Sequence, residues 1–200
     1  MYERINNAKL FVSDMDGTVY LSDTAIPGAI DFARRLKERE KRLLFFTNNA
    51  SRTKDYYIEK LKQLGFGECE VMTAGDVTIN YLCRNHPNKK VYLVGTNLLK
   101  NDMINAGINI VDTEDADIVV SSFDTELTYK KLHTACDALH NGALYLCTHP
   151  DFNCPLAGGK LMPDSGAIAA MITAATGKEP IYLGKPNAET AKAITATTNI

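Results

Sequence analysis

The chain has 200 residues, 45% apolar and 23% charged, and its 22 basic and 24 acidic side chains leave a net charge of −2. A chain this long buries roughly 70% of its unfolded surface and needs no disulfide framework, while the balanced charge argues against a nucleic-acid surface. No apolar run reaches the ~18 residues of a membrane span, and MYERINNAKLF lacks a secretory signal, so a cytoplasmic location without membrane partners is expected.

In chain order, Lys9–Ser13 (KLFVS) reads as a short buried strand that stops at Asp14. Ile26–Glu40 opens with Pro27-Gly28 and continues as an amphipathic helix with Ile30, Phe32, Ala33 and Leu36 on one side. Arg42–Phe46 (RLLFF) is a second strand, stopped by Thr47-Asn48-Asn49. Ser51 and Thr53 are N-cap candidates for a helix through Tyr57, Leu61 and Leu64 that ends at Gly65.

After Val71–Gly75, strands are predicted at Val91–Gly95, Ile108–Val111, Asp117–Ser121, Ala143–Thr148 and Ile181–Gly184. Helices are predicted at Asn97–Ala106, Thr128–His140, Gly166–Thr176 and from Asn187 onward. Continuous apolar strands alternating with helices indicate an α/β fold built on parallel sheets. No low-complexity linker divides the chain, so a second α/β unit inserted into the first is expected. The five cysteines, Cys69, Cys83, Cys136, Cys147 and Cys154, form no CxxC pair and are expected to be reduced, mostly buried thiols.

Candidate chemistry sits at the end of the first strand, in Asp14-Met15-Asp16-Gly17-Thr18. Residues two apart in an extended chain point the same way, so Asp14 and Asp16 would share a pocket while Met15 packs behind them. Two such carboxylates can divide nucleophilic and proton-transfer work, and both attract a hard divalent cation such as Mg²⁺. A calcium loop needs its glycine at the sixth position, whereas here it falls at the fourth. Taken alone, the motif is also compatible with a solvated turn. Thr47-Asn48-Asn49 alone equally suits a plain turn, or a cradle for a phosphoryl oxygen. Lys185 ends a predicted strand before a turn, where an ammonium could neutralise phosphoryl charge.

Together these segments resemble the haloacid dehalogenase superfamily, whose signature is a strand followed by DxDGT. The resemblance implies Asp14 as nucleophile, Asp16 as general acid/base, Thr47 as the second motif's hydroxyl and Lys185 as the third motif's lysine. It also implies Mg²⁺ held by Asp14 and by Asp16 through its backbone carbonyl. TNNAS, Thr148-His149-Pro150-Asp151, Pro163-Asp164-Ser165-Gly166-Ala167 and GKPN are similar to the NagD-type, or para-nitrophenyl phosphatase, branch. That branch implies a parallel-sheet core at residues 1–75 plus 179–200 and an inserted α/β cap at 76–178. Gly17, Thr18, Asn48, Asn49, Asp151 and Lys160 become candidate phosphate- or substrate-binding residues.

The expected activity is hydrolysis of small phosphomonoesters of nucleotide or sugar type through an aspartyl-phosphate, with a small phosphorylated metabolite as partner and a homodimer as a possible assembly. The alternatives are a catalytically incomplete binding protein and a phosphotransferase. Two departures stand out. His149 occupies a position where the branch commonly has asparagine, and the superfamily's fourth motif, Gly-Asp followed by Thr-Asp, is absent. The second departure leads to the expectation of a sequence truncated before that motif, with weak activity and poor solubility on its own.

Overall fold

The computed structural model describes residues 2–199. A short helix α1 (Tyr2–Asn7) leads into β1 (Leu10–Asp14), a small hairpin of β2 (Tyr20–Leu21) and β3 (Thr24–Ala25), and α2 (Ala29–Glu38). β4 (Arg42–Thr47), α3 (Lys54–Gln63), β5 (Glu70–Thr73) and α4 (Ala74–Asn85) follow. Then come β6 (Lys90–Val94), α5 (Asn97–Asn105), β7 (Asn109–Ile110), β8 (Ile118–Ser121), α6 (Tyr129–His140) and β9 (Leu144–Cys147). A second hairpin, β10 (Asn153–Pro155) and β11 (Leu161–Pro163), precedes α7 (Ser165–Thr176), β12 (Ile181–Tyr182) and α8 (Ala188–Thr198).

Two parallel sheets carry the fold. The first has the order β1-β4-β5, and the second β12-β9-β8-β6-β7. Central strands read as continuous apolar runs because helices cover both faces: β8 is buried at every position. The helices start where side chains satisfy free amides. Thr53 accepts from the Tyr56 amide to open α3, and Thr96 and Thr128 do the same for α5 and α6. Thr73 and Asp76 cap each other reciprocally at the start of α4.

One apolar cluster joins the two sheets. Leu44, Phe46 and Met72 from the first sheet pack in the same cluster as Val91, Leu93, Ile118, Val120 and Leu146 from the second, with Leu183 beside them. A second cluster lies under α6 and α7, and a third gathers Met15, Tyr20, Phe45, Tyr57 and Leu61.

Three features depart from the sequence reading. Helix α4 was not among the predicted elements: the Thr73–Asp76 capping box ends β5 and makes Ala74 and Gly75 the first turn of that helix. The boundary at residue 179 assigns Ile181–Gly184 to the first unit, but Ile181 and Tyr182 pair with Leu146 and Cys147 in the second sheet. The connection after α7 is short, so the crossover from β9 through α7 returns the chain as a parallel strand beside β9. Finally, the cysteines are not mostly buried. Cys147 is buried and Cys83 exposed, with the other three intermediate, and all five are free thiols. Among the described residues, no helix is long and apolar enough to cross a membrane.

Candidate active site

The parallel register brings functional groups to one edge of the first sheet. Asp14, the last residue of β1, lies opposite Phe46, so Thr47 at the end of β4 is its diagonal neighbour. Beyond Asp14 the chain folds back sharply. Gly17 takes φ +76° and its amide donates to the Tyr20 carbonyl at 2.8 Å, a conformation that a side chain would strain. Met15 is fully buried behind this turn, while Asp14 and Asp16 both line a cavity of about 380 Å³.

The ligand-sized space is also lined by Thr47, Asn48, Asn49, Asp151, Asn153, Asp164 and Lys185. Lys185 comes from the loop after β12, and its Nζ forms an ion pair with Asp14 Oδ1. The second Asp14 oxygen accepts from Thr18 Oγ1 at 3.0 Å. Asp14 is thus oriented at both oxygens, yet its side chain stays 41% exposed to the cavity. Asp16 is more enclosed. Burial raises its pKa above the ordinary carboxylate value, opposed by nearby Lys60 and by a 3.2 Å hydrogen bond from the Tyr20 hydroxyl. A carboxyl raised this way holds a proton more readily, as a general acid must.

Asn48 has a role that its sequence context did not reveal. Its Oδ1 accepts from the Lys185 amide at 3.0 Å, while its Nδ2 donates to the Lys185 carbonyl at 3.1 Å and to Asp151 Oδ2 at 2.9 Å. The side chain therefore clamps the Lys185 loop and Asp151 to the end of β4. Gly184 makes this approach possible, because a Cβ there would lie 2.5 Å from the Thr148 carbonyl oxygen and 2.8 Å from Asn48 Oδ1. Thr47 is buried, and its hydroxyl accepts from the Asn49 amide at 3.0 Å. Asn49 Oδ1 in turn accepts from the Ser51 amide and hydroxyl.

The remaining candidates separate. Gly17 and Thr18 shape the turn and hold Asp14 without lining the cavity. Lys160, an expected substrate contact, is exposed in the β10–β11 hairpin loop and is not among the residues lining the cavity, which β10 reaches with Asn153, Cys154 and Pro155. Tyr20 and Asp164 were not singled out as site residues. Tyr20 looks like core from the sequence, being fully buried, and only the fold brings its hydroxyl to Asp16. Cys154 also lines the cavity, and burial pushes its thiol up to about 11, which makes it a poor nucleophile near neutrality.

Mg²⁺ suits these residues. The cavity gathers four carboxylates, Asp14, Asp16, Asp151 and Asp164, against Lys185, the lone lysine or arginine among its lining residues. A phosphomonoester dianion would be repelled from such a surface without a cation of higher charge, and Asp14 and Asp16 offer the hard oxygens that Mg²⁺ prefers.

Residues 11–109 match the family described as haloacid dehalogenase-like hydrolase. An acid sugar phosphatase of Staphylococcus epidermidis is 35% identical over 178 residues, 88% of this chain and 68% of that protein. The acid sugar phosphatase of Staphylococcus haemolyticus is 34% identical over 184 residues, 91% and 70% of the two chains. Among solved structures, the 4-nitrophenylphosphatase of Thermotoga maritima superposes with a TM-score of 0.91 at 39% identity, covering 98% of this chain and 76% of that one. A structure described as a nagD protein gives a TM-score of 0.91 at 39% identity, covering 96% and 77%. The chain belongs to the haloacid dehalogenase-like hydrolase family, among its NagD-type phosphatases.

Proposed function

We propose that the protein hydrolyses small sugar-phosphate or nucleotide-type phosphomonoesters through an aspartyl-phosphate formed on Asp14, with Mg²⁺ as cofactor. The observation that carries this reading is the Lys185–Asp14 ion pair, which brings the ends of β1 and β4 and the loop after β12 to one cavity. The names of the relatives favour sugar phosphates and aryl phosphates as the substrates to try first.

An Asp14 carboxylate oxygen attacks phosphorus, forming an O–P bond as the bond to the leaving oxygen breaks. Asp16 gives its proton to that oxygen, then takes one from water. The water attacks phosphorus, the Asp14 O–P bond breaks, and phosphate leaves with Asp14 restored. Lys185 and the Asn48 amide neutralise the equatorial oxygens, which is most of what phosphoryl transfer asks of a protein. Bound Mg²⁺, held by Asp14 and Asp16, would add charge neutralisation that one lysine cannot supply.

The test is phosphate release from a panel of sugar phosphates, nucleoside monophosphates and 4-nitrophenyl phosphate, with Mg²⁺ or with chelator. The expected result is Mg²⁺-dependent turnover that disappears in Asp14→Asn. Turnover that survives this substitution would overturn the nucleophile, and turnover unaffected by chelation would overturn the cofactor.

A further inference from the structure

Resting on the phosphatase reading above, we propose that Tyr20 is a positioning residue for Asp16 and that Lys60 steadies the tyrosine ring. Neither side chain lines the cavity, so both act through the carboxyl that does.

Tyr20 is tied to the turn that carries Asp16. Its carbonyl accepts from the Gly17 amide at 2.8 Å, and Asp16 and Tyr20 pair across the turn as an isolated parallel bridge. The ring is fully buried in the cluster of Met15, Phe45, Tyr57 and Leu61. With backbone and ring both fixed, the hydroxyl reaches Asp16 Oδ2 at 3.2 Å. An ionised carboxylate can only accept, so the hydroxyl donates to it. Asp16 Oδ1 has no hydrogen-bond partner among the described residues, and it is the oxygen left to exchange a proton with a leaving group or with water.

Lys60 supplies a second hold. It projects from α3, its Nζ stands 4.3 Å from the centroid of the Tyr20 ring, and its side chain is only 19% exposed. An ammonium held over an aromatic face and partly desolvated attracts the ring. The same Nζ lies 3.8 Å from Asp23 Oδ1 in the turn between β2 and β3. That carboxylate is fully open to solvent, so the contact with the ring is the one that matters.

A buried tyrosine hydroxyl needs some partner merely to be satisfied. Here the partner is the carboxyl that hands over the proton, and this gives the contact a consequence that packing lacks. A general acid matters in proportion to the basicity of the oxygen it protonates: 4-nitrophenolate departs readily without a proton, while phenolate gains more from one. A misaimed Asp16 therefore slows phenyl phosphate more than 4-nitrophenyl phosphate, two substrates of similar shape. Loosened packing around Tyr20 slows both alike.

The experiment measures kcat/KM, which reports events up to departure of the leaving group, for phenyl, 4-chlorophenyl and 4-nitrophenyl phosphate with Mg²⁺ present. Tyr20→Phe keeps the buried ring and removes only the hydroxyl. It is expected to lower kcat/KM at least about fivefold more for phenyl phosphate than for 4-nitrophenyl phosphate, a fraction of the roughly 10²–10⁴ that a general acid contributes. Lys60→Met is expected to shift the ratio the same way by a smaller factor, and Lys60→Arg to restore it. Lys60 stands at the edge of the core, so its variants test the hold even where Tyr20→Phe lowers Tm. In an Asp16→Asn background there is no acid to aim, and Tyr20→Phe is expected to leave the ratio where Asp16→Asn alone sets it. Equal losses for all three substrates, or a selective loss that persists without Asp16, would overturn the role of Tyr20 and leave the phosphatase reading standing. A ratio unmoved by Lys60→Met, or moved further when Tyr20→Phe is already present, would overturn the role of Lys60. Wild type that turns over none of the three would overturn the phosphatase reading and this proposal with it.

Discussion

Lys185 stands at the meeting point of the site's electrostatics. Its ammonium balances Asp14, and its backbone is held at both its amide and its carbonyl by Asn48. Lys185→Met is expected to lower kcat by about a hundredfold, the typical cost of one preorganised charge-stabilising group, about 3 kcal/mol. Steady-state rates with 4-nitrophenyl phosphate measure it. Asn48→Ala leaves the ammonium present but unclamped, so a smaller loss of kcat is expected, with KM rising as Asp151 is released. An unchanged rate in Asn48→Ala would show that the Lys185 loop is held by its neighbours alone. At this scale the sequence singled out Asp14, Asp16, Thr47 and Lys185, which line one cavity, because chemistry-bearing residues at strand ends stand out against apolar runs. Asn48 was a candidate for binding phosphate or substrate, but its clamp on Lys185 and Asp151 was not legible, and neither was Tyr20, since these partners are distant in sequence or hidden in a core segment until the fold supplies them.

Among the elements, the parallel strands and longer helices could be read from apolar runs and caps. The two hairpins and α4 could not. The hairpin strands are only two or three residues long, too short for a periodic signal, and α4 begins inside an apolar run whose Thr73–Asp76 capping box ends the strand early. β12 was foreseen as a strand but not its neighbour, because pairing is decided by crossover geometry rather than by local pattern. The start of α7 carries its own constraint. A Cβ on Gly166 would sit 2.3 Å from the Pro150 carbonyl oxygen, so Gly166→Ala is expected to destabilise the protein by roughly 2 kcal/mol or more, read as a lower Tm. At the opposite end of the first sheet, Arg42 grips Glu70 with two hydrogen bonds of 3.0 and 2.7 Å, joining β4 to β5. That bond holds the Glu70 carboxyl below its ordinary 4.5, so the unfolded chain protonates first as pH falls. Its contribution is present above 4.5 and is lost as pH falls through the lower folded value. Glu70→Gln is therefore expected to lower Tm slightly at neutral pH and not at all in strong acid. Because the pair is exposed, added salt should shrink the difference.

For the molecule as a whole, the shared apolar cluster matters most. Leu183 is fully buried in it, between Lys185 and the strand that carries it, and it packs with residues of both sheets. Leu183→Ala is expected to cost about 2–5 kcal/mol, as large-to-small core changes do. The two sheets should lose structure in one transition, with tyrosine fluorescence and activity falling together on heating. Separate transitions would show that the cluster does not couple them. The placement of Lys185 has one more consequence. Asp14 belongs to one sheet, and its counter-charge hangs from the edge strand of the other. Any excursion wide enough to part the sheets removes the ammonium from Asp14, so a gaping cavity is also a disarmed one. The ion pair thus makes the balance of charge at Asp14 depend on the two sheets staying together.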